Sequence, residues 1–112
     1  MELTFRAAQS TTSTEASIEQ VRRAVCETFD VTHNQLMSVS RERRFARPRQ
    51  VGMFLARECL GLSLARIARE FGREDHTTVL YGVRKVRHLI GVDAALRVAV
   101  EGLVSRFVRP HA

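Results

Sequence analysis

Hydrophobic residues recur at helical spacing through most of this chain, and the clearest case runs from position 63 to position 90. Two apolar stripes lie there: Leu64, Ile67, Ala68 and Phe71 form the first, and Val79, Val83, Val86 and Ile90 form the second. Gly72 separates them, and glycine readily accepts the left-handed backbone that ends a helix. Ser63 and Asp75 lie where helix N-caps are needed. The pattern therefore predicts a helix, a sharp turn and a second helix.

The same spacing predicts further helices on both sides of this pair. Capping boxes are predicted at 17–20 and 32–35, Pro48 suits the first turn of a third helix, Gly61 would end it, and Asp93 would cap a last one. The predicted inward positions of these helices are Ile18, Val21, Val25, Phe29, Leu36, Val51, Phe54, Leu55, Cys59, Leu62, Leu96, Val100, Leu103 and Phe107. The chain is therefore predicted to be an all-α domain of five or six helices, without repeats.

The N-terminal end of the chain has a different character. Residues 1–16 are rich in serine and threonine and show almost no periodicity, so we interpret them as a flexible arm. Residues 17–109 then form the one folded domain, which is long enough to bury a core.

The charge balance favours a polyanionic partner. Lysine and arginine number 18 against 12 acidic residues, which gives a net charge of +6 and an isoelectric point near 10.9. Basic surfaces also occur without such a role. No apolar run has the length of a membrane helix, so we expect a cytoplasmic protein. Cys26 and Cys59 lie on apolar stripes and the histidines are scattered, so we expect no metal and no cofactor.

Two stretches carry candidate binding chemistry. Residues 40–50, SRERRFARPRQ, contain five arginines and one glutamate. We interpret this stretch as a basic loop whose end is fixed at Pro48, where the next helix begins, and arginine suits planar contacts to phosphates and bases. Short polar residues at positions 76–78 open the second helix of the pair, with Arg84, Lys85 and Arg87 further along, and this suits a helix that enters a DNA major groove. The alternatives are a solvated charged loop and an ordinary helical hairpin with a solvated face.

With these stretches in view, the chain resembles the C-terminal DNA-binding domain of the bacterial DnaA replication initiators. ARPRQ at 46–50, LARE at 55–58, SLARIAREFG at 63–72 and DHTTV at 75–79 follow that family's order and spacing. The resemblance implies a Trp-repressor-like helix-turn-helix that reads an asymmetric box in double-stranded DNA. By that likeness, the residues that meet base edges or phosphates in the major groove are Asp75, His76, Thr77 and Thr78. Arg41 would enter the neighbouring minor groove, Arg47, Arg49 and Arg57 would lie near the backbone, and Lys85 would add a contact from the second helix.

The chain departs from that family in two ways. Gly72-Arg73-Glu74 replaces the usual Gly-Gly-Arg, so Glu74 would repel phosphates or accept a hydrogen bond from a cytosine amino group, and Arg73 would return the lost charge one residue earlier. The sequence also holds no G-x-x-x-x-G-K-[ST] loop, so we expect a freestanding DNA reader without ATPase activity. We expect no enzyme either, because His76 beside Asp75 has no nucleophile, metal cluster or second carboxylate paired with it.

These features lead to one main expectation and two alternatives. The main one is a monomeric, sequence-specific DNA-binding protein that regulates chromosomal replication initiation, by competing with DnaA or by recruiting a replication-initiation protein. The first alternative is a transcription regulator or mobile-element protein that uses the same domain. The second is a protein-interaction module whose DNA surface has decayed, which only Glu74 favours.

Overall fold

A computed structural model describes residues 14–107, with side chains from residue 18 onward. Its six helices are α1 (Thr14–Phe29), α2 (His33–Met37), α3 (Arg43–Glu58), α4 (Leu64–Glu70), α5 (His76–Leu89) and α6 (Ala94–Phe107). The described residues contain no strand, so the predicted all-α fold is confirmed. None of the helices in this range has the length and apolar composition needed to cross a membrane.

Helix α3 lies at the centre of the fold and packs against the other five helices. Its residues 51–56 are all buried, and Phe54 and Leu55 are among the largest fully buried side chains. Gly52 allows α4 to approach closely, because a Cβ atom at this position would come within 2.9 Å of the Phe71 ring. The helix-turn-helix therefore rests directly on a rigid core helix.

The predicted helix-turn-helix is confirmed in its caps, its turn and its buried stripe. The Ser63 hydroxyl accepts a hydrogen bond from the Arg66 backbone N–H at 3.1 Å, and an Asp75 carboxylate oxygen accepts one from Thr77 N–H at 2.9 Å. Gly72 has a φ of +67°, the left-handed conformation that ends α4. The apolar stripe of α5 is buried, so the opposite face of α5 is left to solvent.

Two helix starts differ from the sequence prediction. Helix α1 begins at Thr14, so Ser17 lies inside it and the predicted capping box at 17–20 is wrong. Nothing in Thr-Glu-Ala stops a helix, and a glutamate near a helix N-terminus is favoured by the helix dipole. The capping box at 32–35 is confirmed, with Thr32 and Gln35 exchanging bonds of 2.9 and 3.1 Å. Most of the arm predicted for residues 1–16, like residues 108 and 109, lies outside the described residues.

The basic stretch also differs, because α3 begins at Arg43 and Pro48 lies within it. The predicted basic loop, which was expected to end at Pro48, is therefore wrong from Arg43 onward. Arginine favours helices, and the Glu42 carbonyl accepts bonds from the backbone N–H groups of Phe45 and Ala46, which starts the helix before the proline. Pro48 removes only one hydrogen bond near the helix N-terminus. Four of the five arginines of this stretch thus lie on a helix, and Arg41 lies in the irregular segment before it.

Candidate nucleic-acid interface

The start of α5 presents a polar, exposed first turn. Glu74, Asp75, His76, Thr77 and Thr78 are all exposed. Hydrogen bonds from the Thr77 backbone and hydroxyl, together with the His76 charge, hold the pKa of Asp75 below its usual range. Asp75 therefore stays ionised and keeps the first turn of α5 capped while the side chains after it face solvent.

A basic groove runs beside this helix start. It has a volume of about 680 Å³, and its lining residues are Val39, Ser40, Arg41, Arg43, Ala46, Arg47, Arg49, Gln50, Arg73, Thr78, Tyr81 and Lys85. Six of these side chains are cationic and none is a carboxylate. A concave surface lined by charge of one sign concentrates the field and attracts polyanions. The groove thus brings together Arg41, Arg47, Arg49, Thr78 and Lys85 from the predicted site residues.

The two groove arginines Arg41 and Arg47 are placed differently. Arg41 is exposed, in the irregular segment between α2 and α3. Arg47 lies one helical turn after Arg43 on α3 and donates to Gln50 Oε1 at 2.9 Å. Burial, and then the neighbouring charge of Arg43, lower the pKa of Arg47. The groove wall is therefore a row of arginines held close together in a lining without a carboxylate, an arrangement that a polyanion would stabilise.

Arg49 faces inward, although its position was expected near a DNA backbone. Its side chain is only 7 % exposed, with Nε donating to the Leu36 carbonyl at 2.8 Å and Nη1 to the Ser40 carbonyl at 3.2 Å. Nη2 lies 3.3 Å from Ser38 Oγ. Burial, and then the charge of Arg73, lower the pKa of Arg49 to about 10. Three of its five N–H donors are thus engaged within the protein, which leaves two at most for a phosphate.

Arg57 is the one arginine among the predicted site residues that does not line the groove. It is exposed near the C-terminal end of α3, where Nη1 donates to the Leu62 carbonyl at 2.9 Å. Leu62 immediately precedes Ser63, the cap of α4. Arg57 therefore lies near the N-terminus of the first helix of the pair, an exposed position with positive helix-dipole potential.

Sequence reasoning missed several groove residues. Tyr81 is 62 % exposed and lies on one face of α5 with Thr78 and Lys85, so the helical period counted onward from Thr78 would have found it. Arg43 was missed because α3 was predicted to begin later. Arg73 was expected to return the charge lost at Glu74, but its place in the groove was not predicted, because periodicity does not give the direction of a side chain in a turn. Its Nη2 donates to the Ser38 carbonyl at 2.6 Å.

The described side chains, from residue 18 to residue 107, include no three histidine, cysteine, aspartate or glutamate residues grouped so that they could hold a metal ion. Cys59 is buried, which raises the pKa of its thiol to about 12, and Cys26 is half-buried with a raised pKa for the same reason.

Comparison with known proteins gives a consistent picture. Residues 18–86 match the family described as "Bacterial dnaA protein helix-turn-helix". The "Chromosomal replication initiator protein DnaA" of Bradyrhizobium sp. (strain ORS 278) is 45% identical over 86 residues, 77% of this chain and 18% of that protein. The protein of the same name from Brucella abortus biovar 1 (strain 9-941) is 41% identical over 95 residues, 85% of this chain and 19% of that protein. This chain thus spans less than a fifth of either relative's length.

A solved structure matches the fold as well. A crystal structure of a DNA replication initiation factor aligns with a TM-score of 0.72 and 25% identity. The alignment covers 84% of this chain and 30% of that one.

Proposed function

The chain belongs to the bacterial DnaA helix-turn-helix family, and we propose that it reads DnaA-box-like sites in double-stranded DNA. The observation that carries this proposal is the basic groove beside the exposed first turn of α5. Six cations without a carboxylate suit a phosphate backbone, and the polar side chains at 76–78 suit base edges.

In this proposal the first turn of α5 enters the major groove. The methyl groups of Thr77 and Thr78 suit the thymine methyl, and the His76 ring can donate to or accept from a base edge. Arg41, exposed and ahead of α3, enters the neighbouring minor groove, where a narrow A·T tract concentrates negative potential. The protein binds as a monomer to an asymmetric site.

Phosphate contacts supply much of the affinity. Arg47 and Lys85 contact the backbone from the groove, and Arg57 contacts it near the start of α4. Arg49 contributes mainly by holding the segment before α3 in place. Each phosphate contact adds about 0.9 to the slope of log affinity against log salt concentration, so binding depends strongly on salt.

We place Glu74 at the phosphate-facing edge of the same surface. It is exposed and directly precedes the cap Asp75, so both carboxylates lie where the chain approaches DNA. Against phosphates a carboxylate is a like-charge contact, which lowers affinity on any sequence.

The cellular role that we propose is regulation of chromosomal replication initiation within the nucleoid. The relatives carry the name of chromosomal replication initiators. A chain that reads the same boxes would compete with them or recruit a further replication protein. The 112 residues contain no G-x-x-x-x-G-K-[ST] loop, so this chain would do so without hydrolysing ATP. Calorimetry with ATP tests this point, since saturable nucleotide binding would contradict it.

The reading of bases is tested by three single variants, two on the first turn of α5 and one at Arg57. Thr77→Ala, and separately His76→Ala, should weaken binding to a DnaA-box duplex more than to a scrambled duplex, by about 1–3 kcal/mol for a lost base contact. Arg57→Ala should weaken both alike and lower the salt slope by about 0.9, because a phosphate contact carries no sequence information. Fluorescence anisotropy with both duplexes at several salt concentrations measures these effects. Equal losses on both duplexes for every variant would show that α5 does not read bases.

A transcription regulator or mobile-element protein remains the second candidate, because the same surface would serve any promoter or recombination site. Selection of bound duplexes from a random pool separates the two functions. Recovery of DnaA-like boxes favours replication control, and recovery of an unrelated sequence favours the alternative.

A further inference from the structure

The segment that carries Arg41 has no regular structure of its own. Residues 39–42 connect α2 to α3 outside any helix, and Arg41 is exposed within them. The Ser40 N–H lies 3.4 Å from Ser38 Oγ, and the Glu42 N–H donates to Ser40 Oγ at 3.2 Å. Hydrogen bonds between a serine hydroxyl and a backbone N–H two residues away do not connect the segment to the helices. Other contacts must therefore set its position relative to them.

Two guanidinium groups supply those contacts from two different elements. Arg49, on α3, donates to the carbonyls of Leu36 and Ser40. Arg73, in the turn between α4 and α5, donates to the Ser38 carbonyl at 2.6 Å. Hydrogen bonds from a charged donor are shorter and stronger than neutral ones. The segment is therefore held from both sides.

Arg73 is itself fixed to the helix-turn-helix. Its backbone N–H donates to the Ala68 carbonyl of α4 at 2.7 Å, and its side chain is half-buried. Arg73 thus joins the turn before the recognition helix to a residue 35 positions earlier in the chain. It is the residue that ties the start of α5 to the segment carrying Arg41.

We propose that Arg73 is a positioning residue for DNA reading, because it sets where Arg41 lies relative to the start of α5. The inference rests on the proposed function, in which Arg41 and α5 enter adjacent grooves of one duplex. A duplex fixes the distance between its grooves, so a segment already held at that distance loses less conformational entropy on binding. Arg73 then raises the affinity for sites that combine both contacts.

Arg73 also lines the basic groove, so a direct phosphate contact is the competing role. A double-mutant cycle distinguishes the two roles. Arg73→Ala and Arg41→Ala should each weaken binding to the preferred duplex by about tenfold, the loss expected for one hydrogen bond to a charged group. If Arg73 acts through Arg41, the double variant binds no more weakly than Arg41→Ala alone, and its salt slope is that of Arg41→Ala. Multiplied losses, with a slope lowered by a further 0.9 or so, would overturn the positioning role.

A measurement without DNA separates this proposal from the proposed function. In Arg73→Ala the backbone amide order parameters of residues 39–42 should fall, since one of the two holding groups is gone. Arg69→Ala, which removes one exposed positive charge from the last turn of α4, should leave them unchanged. Unchanged order parameters in Arg73→Ala would overturn the proposal even if the protein reads DNA as proposed.

Two further outcomes are informative. A wild-type protein that binds all duplexes alike would overturn the proposed function, and with it the role of Arg73 in reading DNA. A loss of order in Arg73→Ala would still show that Arg73 holds residues 39–42 in place. If Arg73→Ala does not fold, Arg73→Gln, which removes the charge but keeps part of the half-buried stem, carries the same two tests.

Discussion

Replacing Arg49 tests whether an arginine inside the basic groove is chiefly structural. Arg49→Ala removes three donors, and the shortest bond, at 2.8 Å, reaches the carbonyl of the fully buried Leu36. Bonds at 3.2 and 3.3 Å, to Ser40 and Ser38, are at the long end of the normal range, and water can replace them because both residues are only half-buried. One strong bond to a charged group contributes about 1.5–3 kcal/mol, so we expect the free energy of unfolding to fall by about 3 kcal/mol in all.

Urea denaturation followed by circular dichroism measures this loss. A domain of this size typically has about 5–15 kcal/mol of stability, so Arg49→Ala should remain folded with an unchanged m-value and a lower midpoint. Arg47→Ala is the matched control, because Arg47 lies two residues away on the same helix and its hydrogen bond within the described residues goes to the Gln50 side chain. That variant should lower the free energy of unfolding by about 1 kcal/mol at most, the net contribution of one ordinary hydrogen bond. Equal stability losses in the two variants would refute the structural role of Arg49.

Three further predictions concern Glu74, Glu70 and Cys59. Glu74→Arg should tighten binding to a DnaA-box duplex and steepen the salt slope by about 0.9, because a repulsive charge is replaced by a phosphate contact. Burial raises the pKa of Glu70, but hydrogen bonds from Arg66 and Arg22 lower it more, so its folded-state pKa is below 4.5. The stabilisation from Glu70 is therefore present above pH 4.5 and lost as the pH falls through the folded-state pKa. In Glu70→Gln, the free energy of unfolding measured by urea denaturation should therefore depend less on pH in this acidic range. Cys59, with a buried thiol, should react with iodoacetamide only after unfolding, as followed by mass spectrometry.

Each of these expectations has a contradicting result. Weaker binding of Glu74→Arg to the wild-type protein's own selected site would make Glu74 a base reader. If the free energy of unfolding falls with acidification in Glu70→Gln as it does in the wild-type protein, the ion pairs of Glu70 contribute nothing to folding. Rapid labelling of Cys59 in the native protein would show that the core opens locally around α3.

The features that the sequence predicted correctly are those that depend on neighbouring residues. Ser63 and Asp75 cap helices because the N–H groups they accept from lie two or three residues away, and Gly72 ends α4 through its own backbone freedom. Local chemistry of this kind can be recognised in any sequence. The start of α3 could not be predicted this way, because Pro48 is usual in a first turn but lies inside the helix here.

The roles of the arginines on α3 depend on the helix face that each one occupies. Arg49 lies four residues before the buried Met53 and therefore on an inward face, which was missed because Met53 was not among the predicted inward positions. Arg47 lies on a different face of the same helix and lines the groove. Neither the inward bonds of Arg49 nor the reach of Arg73 to Ser38 could be predicted, because both need the packing of elements distant in sequence.

The ratio of affinities for a DnaA-box duplex and a scrambled duplex of the same composition shows whether the chain reads DNA sequence. Both are measured by fluorescence anisotropy at one near-physiological salt concentration. If the chain reads sequence through α5 and Arg41, the box should bind about a thousandfold or more tighter, the range of specific DNA-binding proteins. Equal affinities on the two duplexes, falling together as salt is added, would mean that the basic groove attracts DNA without reading it. That result would contradict sequence reading by α5 and Arg41.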